Sequence, residues 1–199
     1  MEAKVIETNK KFFDKVADFY DSGILHSWLH KILKKSLKNI VINNNSIVLD
    51  AGCGTGNLLF LLEQENKNLS LYGIDISPEM LKIAKRKLGK KAKLKLMQVE
   101  SLNYKEKFGY IFSSEAFHHY SNQEKAMNNF HNSLKKNGKL IVVDLNFGKV
   151  LNWIFHKIEP GNSRMNSAED FRRLFKDSKF KDINQKKIGL FVIMTTGEK

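Results

Sequence analysis

The chain has 199 residues, 42% of them hydrophobic, and a formal net charge of +13. Its length and composition are typical of one globular domain, no apolar run approaches the roughly 18 residues of a membrane span, and a single cysteine excludes an internal disulfide. The first residues also lack the apolar segment of a secretory signal. We therefore expect one domain over residues 1–199, located in the cytoplasm.

The large positive charge has two interpretations: a basic surface that binds nucleic acid, or a lysine-rich composition without such a partner. Of the 34 basic residues, 30 are Lys and 4 are Arg, and the lysines are scattered without a long run. Proteins that contact phosphates and bases usually favour Arg for its bidentate hydrogen bonds. Nucleic acid is therefore the less favoured partner, although it stays possible.

Two amphipathic helices are predicted at the start of the chain. In residues 10–21, Phe12, Val16 and Phe19 fall at helical spacing. A second apolar helical pattern covers residues 25–40, and an asparagine-rich loop follows it. We expect these apolar faces to pack against the rest of the domain.

A glycine-rich turn comes next. An apolar, β-branched run ends at Asp50, glycines follow at alternate positions (Gly52, Gly54 and Gly56), and a leucine-rich helical pattern begins at once. Strand, glycine turn and helix form the first half of a nucleotide-binding βαβ unit. The spacing is G-x-G-x-G and not the G-x-G-x-x-G of a pyrophosphate site, and Asp50 would repel a pyrophosphate but attract an ammonium or sulfonium. The site is predicted to prefer a cationic, phosphate-free nucleoside.

A second acid follows after one crossover. Residues 69–74 read as a strand that ends in Asp75, nineteen residues after Gly56, which is about the spacing at which such folds place an acid on the ribose hydroxyls. Ile76 then offers an apolar face for an adenine, and Ser77 is predicted to cap a helix. Asp75 is thus the predicted ribose ligand.

The remaining pattern alternates between strands and helices. Strands are expected near 46–50, 69–74, 94–99, 109–114 and 139–144, and helices near 56–65, 78–88 and 122–135. This alternation predicts a parallel sheet with helices on both faces. The short connection from Glu100 to Gly109 is expected to be an extended loop. A last helix is expected to start at Ser167, followed by 183–188 and 190–196 as a hairpin or one bent strand. Residues 145–166 are interpreted as a flap beside an acceptor pocket, with a dimer contact or simple packing as alternatives.

These motifs, VLDAGCGTGNL followed by YGIDISPEML, together with the stretches at 98–102, 108–119 and 134–144, resemble those of class I S-adenosylmethionine-dependent methyltransferases. The small-molecule branch that includes quinone-biosynthesis methyltransferases is the most similar. The resemblance implies an α/β, doubly wound Rossmann-like fold with a mostly parallel seven-stranded sheet, helices on both faces and the last strand antiparallel. It also implies an N-terminal helical lid over residues 1–45 and a core over residues 46–199.

The resemblance implies S-adenosyl-L-methionine as cofactor and assigns residues to each part of it. The methionine part is assigned to Asp50 and the turn with Gly52, Cys53, Gly54 and Gly56, the ribose to Asp75, the adenine to Ile76 and to either Glu100 or Ser101 together with Leu102, and the sulfonium to Ser114 and Glu115. Ala51 and Met80 are also assigned to cofactor binding. Related proteins often have Asp in place of Glu100.

The acceptor side is less constrained by the sequence. His118 and His119 follow the fourth strand, where a histidine could remove a proton near neutral pH; alternatively, one of them caps a helix or packs under the loop. Tyr20 and Trp153 are the other predicted acceptor contacts. The remaining four histidines have no paired spacing with acids or cysteine, so no metal site is predicted.

Several kinds of acceptor are disfavoured. Cytosine C5 methylation needs a cysteine nucleophile, and Cys53 lies inside the glycine turn. The proline-containing motif of enzymes that methylate base amines is missing after the fourth strand. The leading prediction is methyl transfer to a small, aromatic or lipophilic acceptor by a monomer or homodimer. The alternatives are an RNA or protein methyltransferase and a non-catalytic cofactor-binding regulator.

Overall fold

The computed structural model of the chain describes residues 2–65, 68–146 and 165–199. Its helices are α1 (Glu2–Tyr20), α2 (Gly23–Leu37), α3 (Asn57–Gln64), α4 (Pro78–Leu88), α5 (Gln123–Ser133) and α6 (Ala168–Asp177). Its strands are β1 (Ile47–Ala51), β2 (Ser70–Asp75), β3 (Ala92–Leu96), β4 (Phe108–Ser114), β5 (Leu134–Leu145), β6 (Lys181–Gly189) and β7 (Val192–Glu198). Every helix within these ranges is too short or too polar to cross a membrane.

The seven strands form one sheet in the order β3-β2-β1-β4-β5-β7-β6. Strand β7 runs antiparallel to both of its neighbours, β5 and β6, whereas the pairs among β1 to β5 are parallel. This arrangement confirms the predicted fold, including the antiparallel last strand. The strand order reverses between β1 and β4, and ligands of open α/β sheets bind at the carboxyl ends of the strands at such a point.

Alternating side chains of the central strands build a core on each face of the sheet. On one face, Leu49 belongs to a buried cluster with Met127 and Phe130 of α5. On the other face, Val48 packs in a cluster with Leu59 of α3 and Ile32 of α2. Both clusters are buried, so helices cover the central strands on each face of the sheet.

Several element boundaries differ from the sequence predictions. Strand β3 ends at Leu96, because its register places Leu96 beside Asp75, the last residue of β2, and the chain then turns through a short 3-10 helix at Val99–Ser101. The prediction of a strand to residue 99 was therefore wrong. Helix α1 starts at Glu2 rather than at residue 10, and β5 starts at Leu134, where it pairs with Phe108.

The connection between β3 and β4 and the end of the chain behave as predicted. The connection contains the 3-10 turn and an extended segment, with no α-helix. Strands β6 and β7 form an antiparallel hairpin whose tip is Leu190-Phe191, rather than one bent strand. Of the predicted flap at 145–166, residues 147–164 lie outside the described residues, and so does Trp153.

Candidate active site

The glycine turn between β1 and α3 forms one wall of a cleft at the carboxyl ends of β1, β2 and β4. Gly52, Gly54 and Gly56 all have positive φ values, +74°, +49° and +80°, which side-chain-bearing residues rarely adopt. A Cβ at Gly52 would also lie only 2.5 Å from Cβ of Ala116, so the turn packs directly against the loop after β4. Gly52 and Gly54 thereby bring the backbone close enough to line the cleft.

Asp75, at the end of β2, is held by backbone donors. One carboxylate oxygen accepts the N–H of Gly54 at 2.8 Å, and the other accepts the N–H of Ser77 at 2.9 Å. The Ser77 hydroxyl in turn accepts the N–H of Met80 and caps α4. Burial raises the pKa of Asp75 despite these hydrogen bonds. The carboxyl group is thus fixed at the cleft wall.

Asp50, near the end of β1, is a buried acid, and both influences on its pKa raise it. Burial, followed by the negative charge of Asp75, raises its pKa to about 8. The carboxyl group borders a small side cavity beside the cleft, with Cys53 and Tyr20. A cation bound in this side cavity would stabilise the ionised form of Asp50 and lower that pKa.

Most of the predicted cofactor residues come together in this cleft, which we call the carboxylate cleft. Its lining includes Tyr20, Gly52, Gly54, Asp75, Ile76, Met80, Glu100, Ser114, Glu115 and His119, and the side cavity adds Asp50 and Cys53. The Ser114 hydroxyl is buried there without a hydrogen-bond partner in the described part of the chain. The cleft therefore offers acidic groups and an unsatisfied hydroxyl to a ligand.

Four predicted cofactor residues line neither the carboxylate cleft nor the side cavity. Ala51 is buried and contributes its carbonyl to the Tyr120 hydroxyl, and Gly56 caps the start of α3. Ser101 is exposed and accepts a hydrogen bond from Gln98, whereas the side chain of Leu102 is in the core. Because β3 ends earlier than predicted, Met97 and Val99 occupy the wall that had been assigned to Ser101 and Leu102.

Glu100 lines the cleft, but it also holds the loop that precedes α5. One carboxylate oxygen accepts the Ser121 hydroxyl at 2.7 Å and the Asn122 N–H at 3.2 Å. Its contribution to the site thus includes positioning this loop.

A second cavity, with a volume of about 320 Å³, adjoins the carboxylate cleft, and we call it the aromatic cavity. It is lined by Phe12, Phe13, Val16, Phe19 and Tyr20 of α1, Trp28 and Leu29 of α2, and by Glu115, His118, His119 and Leu145. Within the described lining there is no lysine or arginine, and Glu115 is the one carboxylate. Such a cavity suits an apolar or aromatic ligand.

His118 forms a buried pair with Asp144, the acid near the end of β5. Nδ1 of His118 lies 2.5 Å from one carboxylate oxygen of Asp144, and the backbone N–H of His118 donates to the other at 3.0 Å. Only 3% of His118 and 1% of Asp144 are exposed. Because a carboxylate accepts hydrogen bonds, Nδ1 carries the hydrogen, and Nε2 is the basic nitrogen of the neutral ring.

His119 lies on the border between the two cavities and lines both of them. Its ring meets the Phe13 ring edge-to-face at a centroid distance of 5.0 Å, and its centroid lies 4.1 Å from that of His118. The His119 carbonyl accepts a hydrogen bond from Asn9 of α1 at 2.8 Å. Both predicted histidines therefore belong to the site, with different neighbours.

Tyr20 and Glu115 border the cleft, the side cavity and the aromatic cavity. Glu115 has φ of +53°, which is unusual for a residue with a side chain, and its N–H donates to the carbonyl of Val143 at 2.8 Å. Burial, followed by the charge of Glu115, raises the pKa of Tyr20 well above its usual value. These two residues mark the point where ligands in the two cavities would meet.

Helix α1 is fastened over the cleft by two carboxylates. Asp21 accepts hydrogen bonds from Thr55 (2.6 Å), Asn57 (2.9 Å) and Lys87 (2.8 Å), and Asp14 accepts one from the Ser77 hydroxyl (2.6 Å). Burial pushes the pKa of Asp21 upward, but the hydrogen bond from Lys87 and those from Thr55 and Asn57 outweigh it, so the pKa is lowered. The predicted N-terminal helical lid is thus held by hydrogen bonds to the glycine turn and to α4.

Sequence reasoning missed the residues that come to the site from distant parts of the chain. They include Ile6, Asn9 and Phe13 of α1, Trp28 of α2, and Asp144 as the partner of His118. The helical spacing of Phe12, Val16 and Phe19 was a signal for a buried face, but it could not indicate a cavity. Within the described ranges, no group of three or more His, Cys, Asp or Glu side chains is placed to hold a metal ion.

Comparisons with known proteins agree with this geometry. The family described as "Methyltransferase domain" matches residues 42–188. An uncharacterized methyltransferase of Anoxybacillus flavithermus is 33% identical over 145 residues, covering 68% of this chain and 66% of the relative. A demethylmenaquinone methyltransferase of Thermotoga maritima is 27% identical over 149 residues, covering 73% of this chain and 65% of the relative. The chain thus spans just under two thirds of the length of these relatives.

Among solved structures, the methyltransferase in a complex with the Haloferax volcanii Trm112 methyltransferase activator superposes with a TM-score of 0.81 at 17% identity, covering 94% of this chain and 96% of the other. The fold and the cleft are those of the class I S-adenosylmethionine-dependent methyltransferases, as the sequence motifs predicted. The chain belongs to the methyltransferase domain family.

Proposed function

We propose that the chain transfers a methyl group from S-adenosylmethionine to a small, aromatic or lipophilic acceptor. The observation that carries this proposal is the aromatic cavity, which adjoins the carboxylate cleft and has no basic side chain in its described lining. The name of one relative, a demethylmenaquinone methyltransferase, also supports an aromatic acceptor.

Residues of the carboxylate cleft hold the donor in this proposal. Asp75 accepts hydrogen bonds from the ribose hydroxyls, Ile76 and Met80 contact the adenine, and Asp50 and the glycine turn hold the methionine part. When bound, S-adenosylmethionine supplies a methyl group on a positively charged sulfur, with a neutral thioether as the leaving group. Glu115 and the Ser114 hydroxyl stabilise positive charge at the junction of the cavities, since both are buried beside it.

The aromatic cavity orients the acceptor, and proximity is its main contribution to the rate. Where the acceptor carries a hydroxyl proton, Nε2 of His118 removes it, and the hydrogen bond from Nδ1 to Asp144 stabilises the imidazolium that forms. Asp144 is a positioning residue in this step, because it acts on the acceptor only through His118. His119 contacts the acceptor at the border with the donor.

Helices α1 and α2 act as a cover in the same proposal. Residues 1–45 supply much of the aromatic lining, so ligands enter when the hydrogen bonds of Asp14 and Asp21 open. This assignment gives the N-terminal helices a function in addition to packing.

Two other functions are less well supported. An RNA methyltransferase would need a basic path into the site, and the described lining of both cavities contains no lysine or arginine. A non-catalytic regulator would need a filled acceptor side, whereas the aromatic cavity beside His118 and His119 has a volume of about 320 Å³.

A label-transfer assay tests the proposal. The protein is incubated with methyl-labelled S-adenosylmethionine and a cell extract separated into small-molecule, RNA and protein fractions. We expect label in the lipophilic part of the small-molecule fraction and none with Asp75→Ala at low cofactor concentration. Label in RNA or protein would contradict the acceptor class, and bound cofactor without label in any fraction would favour the regulator.

A further inference from the structure

Large apolar side chains are exposed in a cluster at one end of the molecule. Of the nine exposed large hydrophobic residues in the described ranges, Phe12, Phe19 and Trp28 line the aromatic cavity, and three more belong to the first turn of α2 or to the β6–β7 hairpin tip: Ile24, Leu190 and Phe191. We call this set the apolar rim. Ile24 and Leu190 are the most exposed of them, at 90% and 85%, and neither lines the cavity.

The two parts of the rim lie at the same end of the sheet. Leu145 lines the aromatic cavity and pairs with Val192, so the β6–β7 hairpin tip stands next to the cavity. The N–H of Asn146 donates to the carbonyl of Phe191 at 2.7 Å. A Cβ at Gly189 would lie 2.9 Å from the Ile32 side chain, which places α2 against the base of the same hairpin. The rim therefore forms one surface.

Positive charge accompanies this surface. Helix α2 has three lysines, Lys31, Lys34 and Lys35, and no acidic residue. Lys15 is exposed between Phe12 and Phe19 on α1, and Lys187 is exposed just before the hairpin tip. Asp18 is the exposed acid nearby, whereas Asp14 and Asp21 bond to Ser77 and Lys87. Exposed aromatic and aliphatic side chains with flanking lysines are typical of surfaces that bind an anionic lipid bilayer.

We propose that the apolar rim docks onto an anionic membrane surface, so that the aromatic cavity opens towards the lipid phase. This inference rests on the proposed function, because a lipophilic acceptor would be dissolved in the bilayer. Ile24, Phe19 and Leu190 enter the interfacial layer, and the lysines contact the lipid phosphates. Docking is peripheral and reversible, since it involves side chains at two turns and no spanning segment.

Sedimentation of the purified chain with lipid vesicles tests this inference. We expect binding to vesicles of phosphatidylcholine and phosphatidylglycerol at low salt, and much weaker binding to phosphatidylcholine alone. Ile24→Glu combined with Leu190→Glu should weaken vesicle binding about tenfold or more, because two apolar contacts become repulsive charges.

Val41→Glu is the matched control. Val41 is 83% exposed, but it lies between α2 and β1, at the amino ends of the strands and away from the rim. Binding by this variant should stay within about twofold of the unmodified protein. Unchanged cofactor affinity and melting temperature in all variants would establish that they are folded.

Three results would overturn the inference: no binding to anionic vesicles, equal binding by the double variant, or a dimer in lipid-free ultracentrifugation that the double variant abolishes. The last result would identify the rim as a contact between copies of the chain. The vesicle assay contains no acceptor, so it is independent of the label-transfer assay. Vesicle binding together with label in RNA would disprove the proposed acceptor class but would not contradict the docking surface.

Discussion

The carboxylate cleft and the aromatic cavity touch each other, but they are built in opposite ways. The cleft is built around the backbone of the glycine turn and Asp75 at the strand ends, with α1 and the loop after β4 completing its lining, and it is acidic in a chain of net charge +13. The aromatic cavity combines α1, α2, the loop after β4 and the end of β5. A backbone-based donor site can therefore remain the same while the side chains of the acceptor site change.

This difference predicts that substitutions will separate the two functions, donor binding and methyl transfer. Changes in the aromatic cavity should reduce turnover without affecting cofactor affinity, and changes in the carboxylate cleft should do the reverse. The following predictions run from the largest expected effect to the smallest.

His118→Gln should lower turnover by about 10²–10⁴-fold for an acceptor that must lose a proton, because the proposed general base is removed. Cofactor affinity, measured by calorimetry, should not change. Asp144→Asn should lower turnover less and should alter the pH dependence of the rate, since His118 loses the carboxylate that stabilises its charged form. An equal loss of cofactor affinity in both variants would indicate a purely structural pair.

Asp75→Ala should weaken cofactor binding by ~1.5–3 kcal/mol, or roughly 10–150-fold, the loss of a hydrogen bond to a charged group. Turnover at saturating cofactor should be largely retained. Asp75→Asn keeps one oxygen that can accept the N–H of Gly54, so this variant tests the loss of ribose binding without disturbing the glycine turn. Unchanged affinity in the alanine variant would disprove the ribose assignment.

Asp50 should make cofactor binding depend on pH. Its pKa is about 8 in the free protein, so near pH 7 the carboxyl is mostly protonated and a cationic ligand must displace the proton. Affinity should rise with pH up to about 8, by up to about tenfold per unit, with proton release measurable by calorimetry in buffers of different ionisation enthalpy. Asp50→Asn should abolish this dependence.

The same residue affects stability, and the sign follows from its raised pKa. The folded state binds an extra proton between the ordinary value of 3.8 and about 8, so the free energy of unfolding of the ligand-free protein should fall as pH rises through this window. Asp50→Asn should flatten the fall in chemical denaturation curves. A wild-type curve that is flat from pH 4 to 8 would contradict the burial of an uncompensated Asp50.

Asp21→Asn should loosen α1 over the cleft by about 1 kcal/mol, because the partly exposed ion pair with Lys87 is lost. Hydrogen exchange of α1 amides should accelerate about fivefold. Asp18→Asn, on the exposed side of the same helix, is the matched control and should have no effect. Equal acceleration in both variants would show that the Asp21 contacts do not fasten the helix.

The contrast between the two cavities also explains which parts of the candidate site could be predicted from the sequence. The hydrogen bond between Gly54 and Asp75 joins residues of short motifs whose backbone conformation requires glycine, so local reasoning could place them together. Ser101 and Leu102 do not line the cleft, because the end of β3 is set by its pairing with β2, which single-sequence periodicity does not define. The contact between His118 and Asp144 joins residues 26 positions apart, and no local pattern indicates it.

The most direct test of the account is a crystal structure of the chain with S-adenosylhomocysteine and an alkyl-substituted hydroquinone. The account predicts the ribose hydroxyls on Asp75 and the hydroquinone ring in the aromatic cavity, with a hydroxyl within hydrogen-bond distance of Nε2 of His118. A nucleoside bound away from Asp75, or an aromatic cavity that excludes the hydroquinone while the nucleoside is bound, would contradict it.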